Sequence, residues 1–295
     1  MPTFCQLFQG ACGTTGTPTP PWYGAGRAGR ASSRALAVSY ELTPNLRLFA
    51  AGGLHHQQPH PEDLSSVFGA PSLDSSMAVH ATAGAALRLE RLSLEATGFL
   101  RVLSDLATRS GLPTPLLAQA LVQQGTGLAY GAQLVARTAL RGPLEGFVSV
   151  LISHSQRQDL DGGPVRLFDF DQPLAATAAV SYRYALYTFG ARLRVSSGFP
   201  RTPVAGSYFD AQLDRYDPIF GAQNSERLPL FAQLDLRAER KFDLGGRRQL
   251  KLSLEVQNVT ARSNAEEYVY SSDWSSRGTL TGLPPLALLG VEVIL

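Results

Sequence analysis

Three groups of side chains have the type and spacing to do chemistry. His55, His56 and His60 precede Pro61-Glu62-Asp63, and imidazoles so close together are candidate transition-metal ligands. They follow no helical or strand spacing that would aim them at one ion, so solvated loop histidines are the simpler reading. Asp159, Asp161, Asp169 and Asp171 offer hard oxygens to calcium. Asp161-Gly162-Gly163 reads equally as a turn, which needs no ion. Cys5 and Cys12 lack the second close pair of a zinc site, leaving a small disulfide loop or an ordinary pair of thiols. Ser, His and Asp occur without nucleophile-elbow or triad spacing, and no glycine loop is built for phosphate. The residues thus point to no enzyme, no resident metal and no cofactor. The formal net charge of +2 gives no electrostatic case for nucleic acid.

The elements that would position such groups are strands. From Leu230 the even positions read Leu230, Ala232, Leu234, Leu236, Ala238, against Gln233, Asp235, Arg237, Glu239 and Lys241. After a polar break at residues 243–248, Leu250, Leu252, Leu254 and Val256 alternate with Lys251, Ser253, Glu255 and Gln257. A period of two puts one face in an apolar medium and the other in water, and a Gly-Gly turn makes the pair a hairpin. The same alternation begins at Leu36 and recurs to the end: 36–42, 46–54, 79–89, 92–100, 128–136, 147–155, 174–182 and 187–195 precede this hairpin, and 287–295 follows it. Eleven strands are expected. The 28 Gly and 19 Pro suit many turns. Residues 1–34 have no period and read as an irregular segment before a sheet domain at 35–295.

Connections alternate in length. Short turns fall at Pro44, Glu90, Gly142, Ala185 and Gly245, and long segments at 55–77, 102–126, 156–171, 198–228 and 261–284. In an up-and-down sheet all short turns then share one rim and all long loops the other, as in transmembrane barrels with periplasmic turns and extracellular loops. No run reaches the roughly 20 apolar residues of a membrane-spanning helix. The expected fold is an all-β, antiparallel, up-and-down transmembrane barrel segment. The expected faces follow the period. Arg192, Arg194, Gln233, Asp235, Arg237, Glu239, Ser253 and Glu255 would line a lumen. Leu193, Val195, Leu234, Leu236, Leu252, Leu254, Val291 and Val293 would meet lipid. A soluble β-rich binding protein, with its apolar face inward, has the same alternation.

Five short stretches, in order, resemble the C-terminal barrel half of TonB-dependent outer-membrane receptors. They are Arg166 to Gln172, Ser197 to Pro203, Asn224 with Arg227 to Arg237, Val256 to Val259, and Gly282 to Pro284 with Gly290. Two positions depart from the family: Leu174 stands where a histidine is usual, and Leu295 where the barrel usually ends on an aromatic residue. The resemblance implies half of a 22-stranded barrel in the outer membrane of a Gram-negative bacterium. It also implies energy-coupled import of scarce ligands such as metal chelates, and TonB contact through a plug domain that these residues do not contain. Gly290, Val293 and Leu295 have the spacing of a terminal signal for the barrel assembly machinery. The expected partners are outer-membrane lipid and either a missing N-terminal barrel half or another copy. The residues from Met1 show no signal peptide, so the sequence reads as a fragment that transports nothing by itself. A passive porin-like or adhesive barrel is the alternative.

Overall fold

A computed structural model describes residues 33–138, 142–246 and 248–294. Cys5, Cys12, the patternless first residues and Leu295 lie outside them. Eleven long strands form one sheet: β1 (Arg34–Thr43), β2 (Leu46–Gln57), β3 (Ser76–Arg88), β4 (Leu92–Arg109), β5 (Leu121–Thr138), β6 (Leu144–Gln158), β7 (Leu174–Tyr184), β8 (Tyr187–Ser196), β9 (Phe231–Asp243), β10 (Gln249–Gln257) and β11 (Leu286–Ile294). Each pairs antiparallel with the next in chain order, and among the described residues β1 and β11 are the two open edges. All eleven expected strands are present.

The turns explain the order. Thr43 Oγ1 accepts from the amides of Asn45 and Leu46, closing the first hairpin. At the β9–β10 turn Gly245 and Gly246 take φ of +87° and +66°, left-handed values that side chains resist. Because strands alternate in direction, the five short connections gather at one rim and the five long ones (58–75, 110–120, 159–173, 197–230, 258–285) at the other. The number of strands is odd, so β1 and β11 both run from the loop rim to the turn rim.

Two expectations are corrected. The segment 102–126 is not a long loop, because β4 and β5 are each 18 residues long and only residues 110–120 connect them. Register shifts between Leu103 and Ala107, one on each strand and with Asp105 at φ +55°, insert bulges that flip the phase of the alternation. At about 3.3 Å per residue these strands reach roughly 60 Å, well beyond a bilayer core of about 30 Å even when tilted. Three of the other long loops also carry strands. Val165–Leu167 folds back on β6, 204–210 pairs with 215–220, and 265–270 pairs with 277–281.

No second layer among the described residues covers the sheet. Among the described residues the buried apolar side chains are only Ala70, Ala86 and Leu228. Leu36, Val79, Leu134, Ile152, Leu193 and Val291 are instead exposed. The register places them on one face: Leu36 lies opposite Gly52, Gly52 opposite Ala81 and Ala81 opposite Leu100, while Leu134 lies opposite Val150, Leu193 opposite Leu234 and Leu252 opposite Val291. One continuous apolar face thus runs across all eleven strands. Left bare in water it would cost tens of kcal/mol at about 25 cal/mol per Å².

Candidate functional site

The opposite face is a charged wall. Arg192 lies across from Asp235, Arg194 from Gln233, Arg237 from Glu255, and Glu239 from Ser253. All eight polar residues singled out in the sequence therefore share this face. Leu193, Val195, Leu234, Leu236, Leu252, Leu254, Val291 and Val293 share the other. Asp235 is the hub. It is buried, its Oδ2 accepts from Arg192 Nε and Nη2 at 3.0 and 2.9 Å, and its Oδ1 accepts from Gln233 Nε2 and the Asn258 amide. Arg237 pairs with Glu239 at 3.2 Å and approaches Glu255 at 3.7 Å. A shallow cleft of about 340 Å³ lies between these pairs, where Gly190 contributes no side chain.

The loop rim is fastened by buried polar groups. Asp171 is fully enclosed, and its carboxylate accepts from Arg227 and from the Ser155 amide. Arg166 grips Asp159 at 2.6 and 3.0 Å and Asp169 at 3.0 Å, and Asp159 above all holds its guanidinium pKa above the ordinary value. Asn224, in a left-handed conformation at φ +57°, donates to the Leu167 carbonyl and to Asp169. Asn258, at φ +51°, donates to the carbonyls of Arg262 and Leu283. Asn264 exchanges both bonds with the backbone of Ala232, as a neighbouring strand would. Gly198 is obligatory, because a Cβ there would fall 1.9 Å from the Leu228 carbonyl oxygen.

Further out, the two hairpins of the 197–230 and 258–285 loops lean on each other. Arg201 clasps Glu267 at 2.7 and 2.8 Å and lowers that carboxyl's pKa. Arg277 pairs with Glu226 at 2.6 Å while lying over the Tyr268 ring. Trp274 Nε1 donates to the Tyr216 carbonyl, and its ring meets Phe220 and Tyr270. Hydroxyls of Ser271 and then Ser275 hold the Asp273 pKa down at about 2.

The metal readings do not assemble. Asp159, Asp169 and Asp171 are taken by arginines and a backbone amide. His55 and His56 are successive strand residues on opposite faces, and His60 sits in the loop beyond. Among the described residues no group of three His, Cys, Asp or Glu side chains could hold a metal ion. Gly290 faces Ser253, whose Oγ would lie 2.5 Å from an added Cβ, and Val293 faces Leu250. The fasteners Asn224, Asn258 and Asn264 were not recognisable as such. Asn224 and Asn258 lie within the family-like stretches, and their local signal is an asparagine, which tolerates the left-handed backbone both adopt; Asn264 shows no such signal.

An open antiparallel meander with one apolar face, one charged face and long loops at one rim defines a wall of an outer-membrane-type barrel. Residues 13–259 match the family described as TonB dependent receptor-like, beta-barrel, and the chain belongs to that family. Solved structures agree in fold. The ferric citrate transporter FecA, unliganded, superposes with a TM-score of 0.65 at 18% identity over 90% of this chain and 38% of its own. The ferric-catecholate import receptor Fiu from E. coli K12 gives 0.61 at 14% over 86% and 34%, and the FrpB iron transporter from Neisseria meningitidis 0.61 at 16% over 89% and 39%. This chain therefore spans little more than a third of the structures it resembles. No curated protein sequence matches it. The family resides in the outer membrane of Gram-negative bacteria and consists of transporters, so the chain is an outer-membrane barrel component and not an enzyme.

Proposed function

We propose that this chain is one wall of an energised importer of scarce ligands such as metal chelates. The charged face lines the lumen, the apolar face meets lipid, and the latched loops face outward. The observation that carries the reading is the register, which sorts Arg192, Arg194, Asp235, Arg237, Glu239 and Glu255 from every leucine of the same strands. Charges of both signs on a wetted wall suit a plug and a polar cargo, and TonB would act through such a plug. The relatives named above as iron and ferric-chelate importers make a chelate the leading cargo. Gly290 and Val293 are the proposed contact for the assembly machinery.

The open edges β1 and β11 cannot remain bare in hydrocarbon, where each unpaired backbone group costs several kcal/mol. Their shared direction limits the closing partner. A second copy related by an axis along the membrane normal would form two parallel seams, which pair slightly less well. An odd number of strands running the opposite way at both edges closes the barrel with antiparallel seams throughout. Strands outside 34–294 are therefore the favoured completion.

The test is loss of uptake. Disrupting the coding sequence in its host and measuring entry of a panel of labelled ferric and copper chelates under limitation should abolish uptake of at least one. Full uptake of every chelate would contradict the importer reading.

A further inference from the structure

We propose that Arg240, cradled by Tyr187 and Phe242, binds the phosphate headgroup of an anionic glycerophospholipid at the turn-rim edge of the membrane. Arg240 breaks the face pattern of its strand. It lies opposite Leu252 and Tyr187, on the apolar side with Ala232, Leu234, Leu236, Ala238 and Phe242. An arginine facing lipid is costly near mid-membrane and tolerable where its stem lies on apolar surface and its head reaches the interface. Arg240 is only three residues from the end of β9 at Asp243.

The guanidinium carbon stands 5.2 Å from the Tyr187 ring centre and 4.5 Å from that of Phe242. Two rings hold the planar fork, and its N–H donors have no hydrogen-bond partner among the described residues. No ion pair with a described carboxylate neutralises it. Glu239 and Asp243 alternate onto the other face, where Glu239 is bound by Arg237. Exposed Tyr182, Tyr184 and Phe189 continue the aromatic border on the lipid-facing side, as interfacial belts do.

Charge complementarity names the occupant. Segments 43–47, 88–92, 137–145, 183–187 and 240–251, which hold the five turns, carry eleven Lys/Arg against three Asp/Glu. The five long loops carry six against fourteen. The turn rim thus attracts an anionic surface and the loop rim repels one. A planar, doubly donating cation among aromatic rings suits a lipid phosphate, because the acyl chains would lie on the adjoining apolar face.

This site rests on the face and orientation proposed above. The test uses the complete protein in detergent, with native mass spectrometry reading retained phosphatidylglycerol, a diacylglycerol of the same chains, and inorganic phosphate. The wild type should retain phosphatidylglycerol in preference to diacylglycerol, Arg240→Gln should weaken that retention about fivefold, and Arg240→Lys, which keeps the charge but not the planar fork, should fall between the two. Equal retention by Arg240→Gln, no preference over diacylglycerol, or displacement of the lipid by inorganic phosphate would overturn the proposal. If Arg240→Gln does not fold, Phe242→Leu and the wild-type preference decide, since absence of that preference is fatal. Retention through Arg240 in a barrel whose turns label from outside would keep the site and discard the orientation.

Discussion

At the loop rim the sheet is held by polar side chains taken out of water: Asp171, Asn224, Asp235, Asn258 and Asn264 are 1–6% exposed. At the turn rim the charged pairs stay wet. Arg183–Glu145 is 53% and 33% exposed, and Lys251–Glu292 is 22% and 60%. The reason is chain length. A turn of two to five residues is closed by its own backbone, so its side chains are free to face solvent and headgroups. A loop of eleven to thirty-four residues has far more conformational entropy to lose and needs long-range contacts to hold a shape. The loop rim spends buried hydrogen bonds on order, and the turn rim displays charge.

The largest test of that contrast removes the enclosed carboxylate. Asp171→Ala strands Arg227 and the Ser155 amide and should destabilise the chain by about 3–5 kcal/mol in its complete barrel, read from urea unfolding in lipid vesicles. Glu145→Gln at the turn rim should cost no more than about 1 kcal/mol in the same assay. Equal losses would erase the difference between the rims.

The second test concerns the faces between them. Leu236→Arg should cost roughly 2–4 kcal/mol of folding in lipid, while Arg237→Leu, one residue away, should cost much less. Equal effects would refute the sorting of lumen from lipid.

How far these features were legible depends on range. The eleven strands were readable because a period of two is local and one face must be apolar throughout. The upper halves of β4 and β5 were hidden because two register shifts between Leu103 and Ala107, one on each strand, reverse the parity, so Leu106 to Arg109 continue on the wrong phase. The loop hairpins were hidden because segments such as 204–210 pack an aromatic and a polar side alike, which leaves no clean alternation. The fasteners were the least readable. Asp171 meets Arg227 across 56 positions and Asn264 meets Ala232 across 32, and no local pattern records such a pairing. The family motifs nevertheless coincide with them, from Arg166 and Asp171 to Asn224, Arg227 and Asn258, which gives those short stretches a physical meaning.

Next in size, Asn258→Ala should cost about 1–3 kcal/mol, because the Arg262 and Leu283 carbonyls lose their donor at a buried position. Asn45→Ala, in an exposed turn, should lie within about 0.5 kcal/mol of wild type.

The smallest effect is one of pH. The Glu267 carboxyl has its pKa lowered from 4.5 by Arg201, so its pairing supports the 265–281 hairpin fully above pH 4.5. That support fades as pH falls through the lowered value, and the Asp273 contribution is lost as pH falls from its ordinary 3.8 through about 2. Trp274 emission, in a Trp22→Phe background, should shift in this acid range before the strands unfold. No shift until global unfolding would show that the hairpins do not depend on these carboxylates.

The central claim is that the acidic, latched rim faces outward and the basic rim of short turns faces the periplasm. Single cysteines at Asp214 and Gly245 in the complete barrel, treated with a membrane-impermeant maleimide on intact cells, test it directly. Labelling at Asp214 with none at Gly245 until the cells are broken is the expected result. Labelling of Gly245 but not Asp214 on intact cells would contradict it.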